Sequence, residues 1–210
     1  MKATSRGTRI GAATLGAVVL STIFGAAVAT AEEDHDKDDV DVTVEIPAID
    51  SPGVLALTVD GDSTTLTENG STDLVRQFTG TMPTVTVTDT RSADEIPAGA
   101  YWYVLGTATN FTGDEGQAPI NANYLGWTPR LIDADPGSIS AGDPVYSAVD
   151  DDQAPDNVGL VDEELFAMAA DSGAIAAEGQ WTATADLSLR TPATVADGTY
   201  TSTITLSLFE

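Results

Sequence analysis

The stretch "WTATADLSLR", residues 181–190, alternates without a break. Trp181, Ala183, Ala185, Leu187 and Leu189 share one parity; Thr182, Thr184, Asp186, Ser188 and Arg190 share the other. Successive strand side chains point to opposite faces of a sheet, so this pattern predicts a strand with one face on a core and the other in water. Threonine in the outer row adds to the case, because β-branched side chains suit a pleated, half-buried surface.

The pattern recurs outward from there. Val85 and Val87 face a core, with Thr84, Thr86 and Thr88 facing out, and a last strand buries Tyr200, Ile204, Leu206 and Leu208. Leu55, Leu57 and Val59 form another strand, turning at Asp60-Gly61-Asp62 toward a hairpin partner at Thr64 to Thr67. Val40, Val42, Val44 and Ile46 alternate with Asp41, Thr43 and Glu45 up to Pro47, which predicts a further strand. Only "DEELFAMAAD", 162–171, reads as either a helix or a strand edge. Roughly eight to ten short strands between Gly, Pro and Asp turns predict an all-β, antiparallel, Greek-key-like β-sandwich. A long acidic excursion rich in Gly, Pro and Asp, residues 133–160, would leave that scaffold.

The N-terminus belongs to another class of sequence. Lys2, Arg6 and Arg9 precede an apolar run from Ile10 to Val28, and Ala29-Thr30-Ala31 is a small-residue cleavage pattern. Residues 1–31 therefore read as a secretory signal peptide. Residues 32–39 follow as an acidic, flexible N-terminus, and 40–210 as a single domain. No later segment is long and apolar enough to span a membrane after signal cleavage. The expectation is a secreted protein, associated with a cell surface or cell wall.

All 33 acidic residues lie beyond the leader, which carries three of the 8 Lys and Arg; the mature net charge would be −28. A surface this acidic repels nucleic acid, whose phosphates need clustered Lys and Arg. Cysteine is absent, which excludes thiol catalysis and thiolate metal sites. The one histidine, His35, lies in "EEDHDKDD" and is poorly placed to serve a Ser-His-Asp triad. The chain reads as non-catalytic, with no cofactor required.

Aromatic residues are scarce but clustered. Of 3 Trp, 5 Tyr and 5 Phe, six fall between 101 and 127, beginning with "YWYVLGTATNFTGD" at 101–114. Trp102, Val104, Gly106 and Ala108 share one face of a strand; Tyr101, Tyr103, Leu105 and Thr107 share the other. Both faces are apolar at the start, as in a central strand or in an edge strand carrying an exposed aromatic strip. Tyr101, Trp102, Tyr103 and Trp127 are thus the candidate ligand-binding residues, since aromatic rings stack on sugars. Core filling is the competing role for each, and Trp127, in a turn-like Gly-Trp-Thr-Pro setting, fits either. Trp181 continues the apolar parity of its strand and reads as core. Asp89 and Arg91 share a face and can pair, and Tyr200 after Asp197-Gly198-Thr199 has the setting of a tyrosine corner. Asp150, Asp151, Asp152 and Asp156 are a candidate Ca²⁺ site, because Ca²⁺ takes several hard oxygens; Asp60, Asp62 and Glu68 are a second. Paired carboxylates for glycoside hydrolysis are not marked at any position.

The order of motifs resembles the actinobacterial relatives of the WxL-domain family of secreted, cell-wall-associated proteins. The pieces are "VTVEIP" (42–47), "LALTV" (55–59), "VTVTDTR" (85–91), "WYVLGTATNFTG" (102–113), "YLGWTP" (124–129) and "ATADLSLRTPATVADGTYTSTITLSL" (183–208). The family's Trp-x-Leu stands here as Trp102-Tyr103-Val104, and its second signature Trp, in the terminal strand, is missing. The resemblance implies a β-rich, non-enzymatic domain that attaches to the wall through peptidoglycan or associated glycan. The alternatives are a structural or adhesive subunit working through other surface proteins, and a secreted glycan-active enzyme.

Overall fold

Strand β10, Gln180–Pro192, is the spine of the molecule. The computed structural model describes residues 43–46, 52–132, 139–150 and 159–210. Residues 49–210 form one compact unit.

Three strands pair antiparallel with the spine. β7 (Leu125–Leu131) lies along one edge, with Trp127 opposite Leu187. β3 (Val75–Thr81) and β4 (Val85–Asp89) lie along the other, one after the other. Ala183 pairs with Val85 and Asp186 with Thr81, so Thr184 and Ala185 stand opposite Met82, Pro83 and Thr84. That is a bulge, a position where proline's missing N–H does least harm to a ladder. It also explains Thr184, which has outward parity yet is buried: its hydroxyl donates to the Met82 carbonyl at 2.7 Å. β1 (Leu55–Val59) adds to β4, and β2 (Thr67–Glu68) adds to β3.

The second sheet runs β12-β5-β9-β8. It comprises β5 (Trp102–Ala108), β8 (Ser140–Ala141), β9 (Glu164–Ala169) and β12 (Ile204–Phe209). A small ribbon pairs β6 (Thr112–Gly113) with β11 (Tyr200–Thr201). The chain crosses between the two large sheets from β4 to β5, β5 to β7, β7 to β8, β9 to β10 and β10 to β12, so sequence neighbours are mostly not ladder neighbours. This is the Greek-key habit of an antiparallel sandwich. Eight of the twelve strands among the described residues have five residues or more.

The inner faces of the two sheets make one core. Across it the Trp102 ring meets that of Trp181 at 5.6 Å, and Trp127 meets Phe166 at 5.4 Å, both tilted. The β5–β9 register shifts between Val104 and Leu105, so both Phe166 and Ala167 turn inward and are buried. Gly106 is required by the same packing. A Cβ there would lie 2.4 Å from Cη2 of Trp127, inside van der Waals contact.

Two expectations meet corrections, and one open reading is resolved. Residues 43–46 form no strand, and Val44 and Ile46 are exposed; Val40 and Val42 lie outside the described residues. Alternation says which face a strand would bury, but a strand also needs a neighbour to take its backbone N–H and C=O groups. The hairpin from β1 to 64–67 does not form either. β1 pairs with β4 instead, while Thr67 joins Thr79 across β3 and the Thr64 hydroxyl donates to Thr81 O at 2.8 Å. The 162–171 stretch, open between helix and strand, is strand β9, followed by a single turn α1 (Ser172–Ile175) capped by Asp171. The 133–160 excursion is described only at 139–150 and 159–160, which include β8 and a short 3₁₀ turn at Ala148–Asp150.

A candidate aromatic binding face

The two outer faces of the sandwich differ in kind. On the β10 sheet the outward side chains include Thr86, Thr88, Gln77, Thr79, Thr128, Arg130, Asp186 and Ser188. That is the polar face expected of an antiparallel sheet with one side in water. On the β5 sheet the outward row is apolar. Residues directly opposite in a ladder share a face. Phe209 lies opposite Tyr103, Tyr103 opposite Met168, and Leu105 opposite Leu165. Thr107, Thr205, Ser207 and Ser140 share this outward side, and its ladder-paired positions carry no charge.

Three rings form its crest. Tyr101 and Tyr103 are near-parallel with centroids 6.0 Å apart, and Tyr103 and Phe209 are near-parallel at 5.3 Å. Tyr101 is 50% exposed and Phe209 38%. Offset, near-parallel aromatics are a favourable arrangement in themselves and leave ring surface free for a ligand. Leu105, Leu165 and Met168 lie beside them, half-buried.

Of the four candidate binding residues, the structure brings Tyr101 and Tyr103 together on the surface and removes the two tryptophans. Trp102 is 0% exposed and Trp127 1%. Both point between the sheets, and neither indole N–H meets an acceptor among the described residues. They fill the core and touch no ligand. Trp181 is buried beside Trp102, its indole N–H donating to Glu178 at 2.7 Å. Phe209 is the residue the sequence reading passed over. The signal was there: Ile204, Leu206 and Leu208 share the inward parity, so the next position faces out.

The arginines are spent on the scaffold. Arg91 holds Asp89 with two side-chain hydrogen bonds of 2.8 and 2.7 Å, takes a third through its own N–H, and reaches Glu210 at 2.7 Å. Asp89 is buried, and the guanidinium beside it holds its carboxyl below the usual carboxylate range despite the burial. Arg76 pairs with Glu68, Arg130 with Asp186, and Arg190 with Asp150. Every arginine among the described residues thus has a carboxylate partner.

This pairing bears on both acidic clusters. Asp150 is engaged by Arg190, while Asp151, Asp152 and Asp156 lie outside the described residues. Glu68 accepts through one carboxylate oxygen from Arg76 and from the Ser71 hydroxyl, both at 2.7 Å. Among the described residues no three His, Cys, Asp or Glu side chains come together as a metal site. His35 lies outside the described residues.

Tyr200 donates its hydroxyl to the Ala196 carbonyl at 2.9 Å, closing the corner before β12. Tyr200→Phe is expected to lower stability by about 1 kcal/mol, the worth of one such bond, without changing the fold. Urea denaturation measures it, and a loss below a few tenths would mean that water replaces the bond freely.

Fold and surface together define a class: an all-β antiparallel sandwich with one polar and one aromatic outer face. No family model, curated protein or solved structure matches the chain. No helix among the described residues is long and apolar enough to cross a membrane.

Proposed function

We propose that this chain is a non-catalytic exported protein that attaches to the cell wall by binding glycan on the outer face of the β5 sheet. The observation that carries the reading is the row Tyr101–Tyr103–Phe209 on a face whose ladder-paired positions carry no charge. Sugar rings present flat C–H faces, and near-parallel aromatics offer them surface to stack on. The leader supports export. The resemblance to WxL-type proteins supports the wall as destination, with Trp102, the landmark of that resemblance, serving the scaffold beneath the binding face.

Sedimentation with isolated cell walls tests this. Wild type is expected in the pellet, and Tyr103→Ala, the middle ring, is expected to weaken binding about tenfold, from the loss of stacking worth about 1–1.5 kcal/mol. Binding unchanged in Tyr103→Ala and in Phe209→Ala would refute the face. A protein partner is the second reading, favoured by the aliphatic members Leu105, Leu165 and Met168, which sugars do not need. It predicts that Leu165→Ser impairs a complex seen by light scattering while wall sedimentation is absent.

A further inference from the structure

A second concavity shares no residue with the aromatic face. It is a cleft of about 650 Å³ beside the β3 and β10 strands. That size suits a small molecule, since ligand pockets run from about 300 to 1,000 Å³. Its floor is apolar, set by Phe78, Phe111, Leu125, Leu187 and Leu189. Its two lips are polar: the segment 62–65 on one side and 196–202 on the other.

Both lips are held in place before any ligand arrives. Thr64 is tied to Thr81 O, Tyr200 to Ala196 O, and Ser202 Oγ to Thr109 O at 2.6 Å. The Gln117 side chain donates to the Asp197 carbonyl at 3.2 Å. A pre-formed site spares the ligand the entropy of ordering it.

The charges select the occupant. Asp62 stands on one lip and Asp197 on the other, both exposed. Asp114 lies close by, its Oδ1 3.8 Å from where a side chain on Gly198 would begin. The single cation of the lining is Arg76, neutralised by Glu68 and resting 5.4 Å over the Phe78 ring. We propose that this cleft binds a cationic amphiphile, a small apolar body carrying one positively charged amine. The tail would lie on the partly exposed apolar lining of Leu66, Phe78, Val195 and Ile204, and the amine between Asp62 and Asp197.

Calorimetric titration of the purified chain tests the assignment with decyltrimethylammonium and decanoate, each below its micelle-forming concentration. The expected result is saturable one-to-one binding of the ammonium compound, with decanoate about tenfold weaker, as two exposed carboxylates attracting one head and repelling the other imply. Asp62→Asn with Asp197→Asn should bring the two ligands within about threefold of each other, since only the shared tail then contributes. Ala196→Trp, at an exposed lip position, should block both ligands while leaving the near-ultraviolet circular dichroism intact. If that variant does not fold, Thr199→Trp on the same lip takes its place. Equal affinity for the two head groups, no binding in the wild type, or undiminished binding in the folded lip variant each overturns the proposal.

Discussion

Arg91→Met is expected to cost about 3–5 kcal/mol, the range found when one partner of a buried ion pair is removed. Asp89 is 3% exposed and takes three hydrogen bonds from Arg91, two from the guanidinium and one from the backbone. The methionine would leave a carboxylate at the end of β4 with most of its partners gone. The loss extends further, because Arg91 also anchors Glu210 just after β12 and so ties the two sheets at one end. Replacing both residues, as Asp89→Leu with Arg91→Met, should recover a large part of the loss, since the penalty lies in the orphaned charge and not in the missing pair. Urea denaturation of the three proteins checks this; a single-variant cost under about 1 kcal/mol would be the behaviour of an exposed pair and would overturn the argument.

The same pair gives a pH signature whose sign can be worked out. The Asp89 carboxyl is held below the usual carboxylate pKa in the folded protein, first by the hydrogen bonds from the Arg91 side chain. A depressed carboxylate contributes stability that is whole above the unfolded value, about 3.9, and lost as pH falls through the folded one. In Arg91→Met the sign reverses: a buried, unpartnered carboxyl prefers its proton, so acid relieves the variant while it harms the wild type. The stability gap should therefore begin to narrow above about pH 4, where the variant takes up its proton, and narrow further below it, where the wild type loses the pair. Glu164 runs the opposite way, its carboxyl raised by burial and by Asp162, but it is present in both proteins and cancels in the difference.

How much of this was legible beforehand follows from what alternation encodes. It encodes which side chains share a face. The inward and outward rows of β10, β4 and β12 were readable from it, and so were Tyr101 and Tyr103 opposite Trp102. It does not encode which strand lies alongside. The β1 hairpin was therefore misjudged, and the 43–46 segment, with a strand's pattern, forms none among the described residues. Alternation also cannot tell an aromatic at the core from one at the surface when both faces of a strand are apolar. Trp127 was decided by Gly106 and Phe166, which come from other strands. The candidate face holds Phe209 and not the tryptophans because register across β12 and β5, not spacing within either, assembles it.

The packing of Trp127 gives the other large effect. Trp127→Ala should cost about 3–5 kcal/mol, as for other fully buried large aromatics. The ring is 1% exposed, lies against Phe166, and occupies the space above Gly106. Size alone does not establish that Gly106 is the seat of the ring, but coupling does. Gly106→Ala would put a methyl 2.4 Å from Cη2 and 2.9 Å from Cζ3 of the indole. In the wild-type background that overpacking should cost about 1–3 kcal/mol. In a Trp127→Phe background those two indole atoms are gone, and the same alanine should cost much less, by at least about 1 kcal/mol. A double-mutant cycle by urea denaturation measures the difference. Additive losses would mean that the glycine answers to some other neighbour, with Leu206 Cδ2, 3.0 Å from the added carbon, the next to test. Wall sedimentation of the folded Trp127→Phe variant should match wild type, because the ring belongs to β7 of the β10 sheet and points into the core, while the proposed binding face is the outer side of the opposite, β5 sheet.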